Sequence, residues 1–356
     1  MKRLEKLWNL LKHERMDGLL ITSPVNIRYL TGFTGTSGVA LITNNDAFFV
    51  TDFRYTEQAS DQVIGFDIKE HKGPIQDEVA ELVKSLSIES VGFEKEGMTY
   101  GLYEKYNKAV KANLIPSGGL IEKLRLIKDQ DEISIIKDAC KIADDAFDHI
   151  LDYIKPGVKE IDISNELEFF MRKQGATSSS FDIIVASGYR SALPHGVASS
   201  KEIQSGELVT LDFGALYEGY ASDITRTIAV GDISEELATI YNTVLEAQVK
   251  GVEGIKAGIT AKQADALTRD HIDHKGYGKY FGHSTGHGLG LDVHEMPGLS
   301  FRSDAVLEPG MVVTVEPGIY VPNVGGCRIE DDIIITEDGH ERLTHSPKDL
   351  IRLPVS

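Results

Sequence analysis

Positive charge, cysteine and long apolar runs are all scarce in this sequence. Its 356 residues include 37 lysines and arginines against 55 aspartates and glutamates, for a formal net charge of -18. Such a chain is a poor binder of nucleic acid and of anionic membranes. No stretch approaches the roughly 20 apolar residues of a membrane span, and residues 1–18 carry charges throughout instead of the apolar core of a signal peptide. Only Cys140 and Cys327 are present, so no disulfide framework exists. We therefore expect a cytoplasmic enzyme without nucleic-acid or membrane partners.

The length and the pattern of apolar residues predict two domains. Alternating helix and strand signals up to about residue 120 favour an α/β domain, in which the glycine- and threonine-rich stretch Asn26–Gly38 is expected to be a loop. The charged segment Lys123–Asp131 leads to a second part, where helices are interleaved with hairpins. We expect an α/β domain over residues 1–122 and an α+β domain over residues 123–356. Asp131 is expected to cap the first long helix of the second domain, Glu132–Ile154.

The segment Phe281–Glu295, with the sequence FGHSTGHGLGLDVHE, concentrates chemistry in a short space. It holds His283, His287 and His294 among four glycines. Histidine is the commonest metal ligand and proton shuttle near neutral pH, and glycine lets the backbone approach a ligand closely. Any one of these histidines alone would favour a solvated loop, but three together, considered with the carboxylates below, predict a functional site.

Two hairpins each contain a pair of carboxylates in apolar strands. Asp212 and Asp223 are equally distant from a predicted turn at Leu216–Gly219, and Glu316 and Glu330 are symmetric about a second turn at Pro322–Gly326. Residues opposite each other on paired strands share a face. Because buried like charges repel, each pair needs compensation, and a cation is its simplest source. The alternative, polar residues on a solvated face, fits the apolar flanking residues less well.

Four carboxylates and His287 suit two divalent cations, since four negative charges balance two dications. Oxygen-rich ligation with one imidazole and no thiolate favours Mn²⁺, Co²⁺, Fe²⁺ or Zn²⁺ over a structural zinc site. Two such cations can activate a water molecule and polarise a carbonyl, which is hydrolytic chemistry. Asp331 and Asp332 follow Glu330, and we expect them to support the site from behind or to lie on the surface.

These residues and their motifs resemble those of the proline-specific pita-bread metallopeptidases, the family of Xaa-Pro dipeptidase (prolidase) and aminopeptidase P. The motifs are PHG at Pro194–Gly196, LDFGALYEGYASDITRT, GHSTGHGLGLDVHE, EPGIY and RIEDD, and the N-terminal YLTGFTGTSG and TDFRYTEQA extend the resemblance over essentially the whole chain. The resemblance implies a creatinase-like N-terminal domain before a pita-bread catalytic domain.

The resemblance also implies a role for each matching residue. The metal ligands would be Asp212, Asp223, His287, Glu316 and Glu330, with Asp223 and Glu330 bridging two cations. Glu316 would also accept a proton from the nucleophilic water. His195 and His294 would contact substrate and stabilise the tetrahedral intermediate, and His283 would line the pocket.

Two arginines have roles that the sequence leaves open. Arg328 lies two residues from Glu330 and would hold Asp223, although a surface cation is the alternative. Arg302 would bind the free carboxylate of a dipeptide, and an exposed loop arginine is an equal alternative. A solvated loop histidine is likewise the alternative for His195.

The expected reaction is hydrolysis of an Xaa-Pro bond by a metal-activated hydroxide. Xaa-Pro dipeptidase is the first choice and aminopeptidase P, which acts on longer peptides, is the second. Methionine aminopeptidase usually lacks the N-terminal domain, and creatinase has a related fold without metal. A non-catalytic peptide- or protein-binding relative is the hypothesis of another class, against which the five retained ligand positions argue. By resemblance we expect Mn²⁺ as the metal, small proline-containing peptides as substrates, and a homodimer.

Overall fold

The structure, a computed structural model, describes residues 2–355 and divides into two compact units, Met1–Arg125 and Leu126–Ser356. The division falls at the end of a short helix, Leu120–Arg125. The expected boundary between residues 122 and 123 lies inside this helix.

The first unit is built on a six-stranded mixed sheet with the order β4-β3-β2-β1-β5-β6. Valine, leucine and phenylalanine side chains from β1, β2, β3 and β5 form its core together with those of α4 and α5. Its elements are α1 (Lys2–Leu11), β1 (Gly18–Ile21), α2 (Pro24–Thr31), β2 (Val39–Thr43), β3 (Ala47–Thr51), α3 (Thr56–Gln62), β4 (Asp67–Glu70), α4 (Ile75–Ser85), β5 (Ser90–Glu94), α5 (Tyr100–Ala109), β6 (Asn113–Ser117) and α6 (Leu120–Arg125).

The loop expected over Asn26–Gly38 is wrong in its first half, because α2 occupies residues 24–31. Pro24 stands in the first turn, where its fixed φ suits a helix and its missing N–H costs nothing. Gly32 ends the helix with a φ of 78°, and its N–H donates to the carbonyl of Arg28. Helix start and stop signals were therefore present in the sequence and outweigh the glycine content.

The second unit combines four long helices with two main sheets, ordered β20-β12-β9-β8 and β14-β13-β15-β18-β19. Helices α7 and α8 pack against the first sheet, and α9 and α10 contribute to the core beneath the second. Its elements are α7 (Gln130–Ile150), α8 (Glu160–Lys173), β7 (Ser178–Ser179), β8 (Ile184–Ser187), β9 (Glu207–Phe213), β10 (Ala215–Tyr217), β11 (Tyr220–Ala221), β12 (Ile224–Val230), α9 (Glu235–Gly254), α10 (Ala261–His274), β13 (Gly286–Gly288), β14 (Glu295–Leu299), β15 (Val312–Val315), β16 (Gly318–Val321), β17 (Gly325–Arg328), β18 (Asp331–Thr336), β19 (Gly339–Arg342) and β20 (Arg352–Leu353), with short 3₁₀ helices at Gly188–Ala192 and Gly278–Tyr280.

The N-cap of α7 is Asp129, not Asp131 as the sequence analysis expected. The Asp129 carboxylate accepts from the N–H of Glu132, and the Glu132 carboxylate accepts from the N–H of Asp129. This reciprocal capping box satisfies two N–H groups at the helix start, so the helix begins at Gln130.

The turn of the first hairpin is centred one residue later in the sequence than predicted, and this changes the register of its strands. Tyr217 pairs with Tyr220, and the two residues between them, Glu218 and Gly219, have φ values of 46° and 84°. Two consecutive positive φ values define the tight hairpin turn that matches strand twist. The resulting register places Asp212 opposite Thr225. Asp223 is therefore the diagonal neighbour of Asp212 on the same face, and not its direct partner as predicted.

The second hairpin has the predicted symmetry. Val315 pairs with Asp331 on one side of the carboxylates and Gly318 pairs with Arg328 on the other. The same register therefore sets Glu316 opposite Glu330, at the break between the β15–β18 and β16–β17 ladders. The Glu330 N–H donates to the carbonyl of Thr225 over 3.0 Å, which joins this hairpin to β12.

Candidate metal centre

A cavity of about 580 Å³ in the second unit brings nearly all the predicted site residues together. Nine of the ten line it, and only Arg302 does not. They are Asp212, Asp223, His287, Glu316, Glu330, His195, His283, His294 and Arg328. Phe181, Ile184, Val197 and Val293 supply apolar parts of the wall.

Three of the four carboxylates, those of Asp223, Glu316 and Glu330, lie close to His287. The His287 Nε2 lies 3.3 Å from a Glu316 oxygen and 3.7 Å from an Asp223 oxygen. The His287 Nδ1 faces the carbonyl of Gly288 at 3.1 Å, and Nε2 faces the carboxylates. When protonated, Nε2 donates to Glu316; when deprotonated, it offers a lone pair to a cation that the carboxylates would also hold. Asp223, His287 and Glu330 offer ligand atoms that all lie within 4.8 Å of one another.

The same carboxylates hold oxygens that have no hydrogen-bond partner among the described residues. These atoms are Asp212 Oδ1, Asp223 Oδ1 and Glu330 Oε1, and each is buried. Buried polar atoms are nearly always partnered, so an orphaned oxygen needs an explanation. Divalent cations would supply the missing partners, and this oxygen-rich set with one imidazole fits them.

Burial and mutual repulsion raise the pKa values of three of these acids. Burial is the largest cause for Asp223 and Glu330, whose pKa values lie well above the ordinary range, and nearby carboxylates add to it. Burial also raises the pKa of Asp212, although Arg328 opposes the shift. Burial alone would likewise raise the pKa of Glu316, but hydrogen bonding and charge from His287 hold it at about 2.

Arg328 supports Asp212 and not Asp223, which corrects the sequence prediction. Its Nη2 donates a short hydrogen bond to Asp212, and its Nε donates to Thr225 Oγ1 over 3.2 Å. The side chain is 4% exposed, so the alternative of a surface cation is wrong. The two-residue spacing from Glu330 does place Arg328 on the site face, but the diagonal offset of the first hairpin brings Asp212 within its reach.

Tyr320 is a site residue that the sequence analysis missed. Its hydroxyl accepts from Arg328 Nη1 over 2.7 Å and lies 2.8 Å from His283 Nε2. With a proton on His283 Nδ1, which faces the carbonyl of Ser284 at 2.8 Å, the tyrosine hydroxyl donates to Nε2. Burial lowers the pKa of His283, which favours this neutral form. The tyrosine ends the EPGIY motif, and that position was the available signal.

Asp331 and Asp332 are fully buried, so a surface location is wrong for both. Asp332 accepts from the backbone N–H of Asp223 over 2.9 Å and thereby holds the backbone that carries that carboxylate. Asp331 faces the other way, where it forms ion pairs with Arg226 and Lys348, each at 2.7 Å. Glu330 is supported similarly by Thr225, whose hydroxyl donates to it over 2.6 Å.

His195 and His294 are the exposed histidines of the cavity. The His294 ring lies edge-on to His287, with 4.4 Å between ring centroids. Partial burial and the neighbouring His287 lower the pKa of His294, so it is neutral near physiological pH. Both histidines are thus placed where a molecule in the cavity can reach them.

Arg302 lies on the surface beside the ring of Phe301, with 5.0 Å from its guanidinium carbon to the ring centroid, and does not line the cavity. The structure gives its predicted substrate-binding role no support. We expect Arg302→Ala to change KM for Ala-Pro by less than about twofold, since a charge that is exposed to water outside the cavity contributes little. A KM increase of tenfold or more for Ala-Pro, without a matching change for Ala-Pro-Ala, would restore the role.

Comparison with known proteins agrees with this geometry. Residues 134–337 match the model of metallopeptidase family M24, and residues 3–127 match the creatinase/prolidase N-terminal domain. The chain therefore belongs to metallopeptidase family M24, whose pita-bread catalytic fold and creatinase-like N-terminal domain it carries. It is a peptidase of a family that binds divalent metal, as the sequence predicts.

Three relatives show where the chain falls within this family. It is 63% identical to the Xaa-Pro dipeptidase from Bacillus anthracis, with 99% of both chains covered and a TM-score of 0.98. It is 44% identical to the Xaa-Pro dipeptidase of Pyrococcus horikoshii over 98% of this chain and 99% of that protein. The X-Pro aminopeptidase from Thermotoga maritima is 40% identical, with 97% of this chain and 99% of that chain covered and a TM-score of 0.90. The chain thus resembles both proline-specific types.

The raised pKa values predict how the stability of the chelated protein depends on pH. Asp223 and Glu330 have folded pKa values well above the unfolded ones, and burial raises the pKa of Asp332 to about 8. Such groups stabilise the folded state fully below their unfolded pKa of about 4, and this contribution is lost as pH rises through the folded pKa. With metal removed by chelator, we expect Tm to fall between about pH 5 and pH 8.5. Saturating Mn²⁺ should remove most of that fall, and an equal fall with and without metal would contradict the expectation.

Proposed function

We propose that this peptidase is a metal-dependent exopeptidase that hydrolyses Xaa-Pro bonds, most specifically an Xaa-Pro dipeptidase. The observation that carries the proposal is the cluster of buried carboxylates with orphaned oxygens around His287, at the base of a cavity lined by three further histidines. The names of the Bacillus anthracis and Pyrococcus horikoshii relatives support the choice of substrate.

The proposed metal ligands are the five residues of the cluster, and two Mn²⁺ ions are the proposed cofactor, with Co²⁺, Zn²⁺ and Fe²⁺ as alternatives. Asp223 and Glu330 offer ligand atoms within 4.8 Å of each other and of His287, and they would be held in common by the two cations. When bound, such a pair of cations lowers the pKa of water and polarises a substrate carbonyl.

The remaining roles belong to the side chains of the cavity. Glu316, whose carboxylate lies 3.3 Å from His287 Nε2, would accept a proton from the attacking water. His294 and His195 are exposed in the cavity, where they can hold the substrate and donate to the developing oxyanion. His283, fixed between Ser284 and Tyr320, shapes the inner wall.

An Xaa-Pro bond suits this kind of site. The proline nitrogen carries no hydrogen, so an enzyme that holds an extended backbone through that N–H loses a contact. A site built from metal ligands and histidines does not need it. The free α-amine of the substrate would face the carboxylates, which explains removal of a single residue.

The choice between dipeptidase and aminopeptidase depends on what receives the terminal carboxylate of a dipeptide. Of the described residues that line the cavity, only Arg328 carries a permanent positive charge, and it is already bonded to Asp212 and Tyr320. His195, His294 or a group from a second subunit of the proposed homodimer would have to receive the carboxylate. The likeness to the Thermotoga maritima X-Pro aminopeptidase keeps aminopeptidase P as the alternative.

Proline release from Ala-Pro and alanine release from Ala-Pro-Ala, both with added Mn²⁺, separate these functions. Cleavage restricted to the dipeptide supports the dipeptidase, and efficient removal of alanine from the tripeptide supports aminopeptidase P. No turnover of either peptide by the metal-loaded protein would favour the non-catalytic peptide-binding alternative. A cytoplasmic location is part of the proposal, supported by two buried cysteines that are both unpaired.

A further inference from the structure

One arginine of α10 holds the backbone of the segment that carries His283. The guanidinium of Arg269 donates to the carbonyl of Phe281 over 3.1 Å and to the carbonyl of His283 over 2.7 Å. The arginine does not line the cavity and touches none of the proposed metal ligands. Its two backbone contacts flank Gly282, so one planar group sets the path of the chain immediately before His283.

Arg269 is itself held in one orientation. Asp265, four residues earlier on α10, accepts from its Nε over 2.6 Å and from its Nη2 over 2.8 Å. The guanidinium also lies near the rings of Phe281 and Phe301, at 4.4 and 5.4 Å from the centroids. A two-point ion pair with a planar cation against aromatic rings is the arrangement that arginine forms and lysine does not.

Asp265 also connects to Glu316, through the backbone of Thr285. Asp265 Oδ1 accepts from the N–H of Thr285 over 3.1 Å and from its hydroxyl over 2.9 Å. The carbonyl of Thr285 then accepts from the N–H of Glu316 over 2.7 Å. Asp265 is 1% exposed, so these contacts are shielded from water. The Asp265–Arg269 pair therefore reaches the backbone of both His283 and Glu316.

We propose that Asp265 and Arg269 are positioning residues that set His283 and Glu316 for peptide hydrolysis, an inference that rests on the proposed function. Neither side chain contacts the cavity, so both act through backbone carbonyls and N–H groups. Small displacements of reacting groups are costly in enzymes, and a 1 Å error can lower the rate about 100-fold. The fork geometry of the Arg269 guanidinium fixes the pair with Asp265, and a positive charge without that geometry would not make the same contacts.

The test compares Arg269→Lys with Arg172→Lys in the full-length, Mn²⁺-loaded protein. Arg172 also pairs with a carboxylate four residues earlier, Glu168 at 2.5 Å, but its side chain is 55% exposed and lies on α8. We expect Arg269→Lys to lower kcat for Ala-Pro about 10- to 100-fold, with KM changed by less than about threefold and bound manganese unchanged. Arg172→Lys should retain wild-type values. Asp265→Asn should resemble Arg269→Lys, and the double variant should be no worse than either, because the residues act as one unit.

Two results would overturn the inference. One is wild-type kcat in folded Arg269→Lys. The other is a loss of kcat matched by an equal loss of bound manganese and of folded protein, because that pattern describes a merely structural residue. Inactivity of the wild-type protein towards Xaa-Pro peptides would instead refute the proposed function, so the two failures are distinguishable. Thermal unfolding and metal analysis of each variant supply the readouts that do not depend on turnover.

Discussion

Replacing Asp223 by asparagine is expected to abolish Xaa-Pro hydrolysis, with a loss of about a thousandfold or more. Asparagine keeps the shape of the side chain but supplies no negative charge, and one of the two oxygens is replaced by a hydrogen-bond donor. The Asp223 carboxylate lies 3.7 Å from His287 and is one of three groups that converge on a common point. Even a single lost oxyanion-hole donor costs about 10²–10³ in rate, and loss of a proposed metal ligand should cost at least as much.

The measurement is proline release together with manganese content, before and after dialysis against low metal. Asp145→Asn is the control, because Asp145 is a carboxylate with a 2.7 Å ion pair to Lys141 on the exposed face of α7. It should retain wild-type turnover and metal content. Turnover and bound manganese in Asp223→Asn equal to those of wild type would refute the assignment of the metal centre.

The same substitution should have the opposite effect on the stability of the chelated protein. Burial, followed by repulsion from Glu330 and Asp212, raises the pKa of Asp223 well above its ordinary value. Near pH 8 the removal of one of these charges relieves repulsion, so we expect chelated Asp223→Asn to unfold at a higher Tm than chelated wild type. With saturating Mn²⁺ the order should reverse.

The sequence was most informative where the site is local. The carboxylates and His287 lie in short motifs whose residue types and spacing already indicate a metal centre. The fold then brings these motifs together around one cavity. The Glu316–Glu330 pairing could also be derived from the sequence, because the short loop around Asn323, whose φ is 64°, joins two strands that pair symmetrically about it. In such a hairpin, distance from the turn determines the partner.

The same reasoning failed for Asp212 and Asp223 because a hairpin register depends on which residues occupy the turn. The sequence Leu216–Gly219 contains a single glycine, and the turn was centred one residue too early. The structure uses Glu218 at positive φ before Gly219, a less common choice for a residue other than glycine or asparagine. A shift of one residue in the turn moves the partner by two, which turns a direct pair into a diagonal one and keeps the face unchanged.

Contacts between distant segments were the least predictable. Arg328 lies 116 residues from Asp212 in sequence, and α10 lies before the segment that it holds. Nothing in the local pattern specifies these pairs, since an arginine is compatible with any nearby carboxylate. Arg302 shows the opposite failure. It is a residue type that can bind a carboxylate, in a region near the predicted site, but it lies outside the cavity. Residue type thus limits the chemistry, and only tertiary packing selects the partner.

Replacing Arg328 by methionine is expected to destabilise the chelated protein by about 3–5 kcal/mol, the usual cost of removing one partner of a buried ion pair. Methionine keeps much of the length and apolar stem but removes all the donors to Asp212, Tyr320 and Thr225. Asp212 then remains buried without its counter-ion. Denaturant unfolding at about pH 7.5 in the presence of chelator measures this loss directly, because Mn²⁺ would otherwise compensate part of the charge.

The double variant Arg328→Met with Asp212→Asn separates the pairing from its alternatives. If Arg328 acts mainly as the counter-ion of Asp212, removal of the second charge should recover most of the lost stability, and the two changes should be strongly non-additive. Turnover should stay low in the double variant, because Asp212 is also a proposed metal ligand. Additive losses would mean that the contacts to Tyr320 and Thr225, rather than the ion pair, determine the stability contribution of Arg328. If Glu330→Gln recovered the lost stability and Asp212→Asn did not, Arg328 would be the counter-ion of Glu330 and not of Asp212.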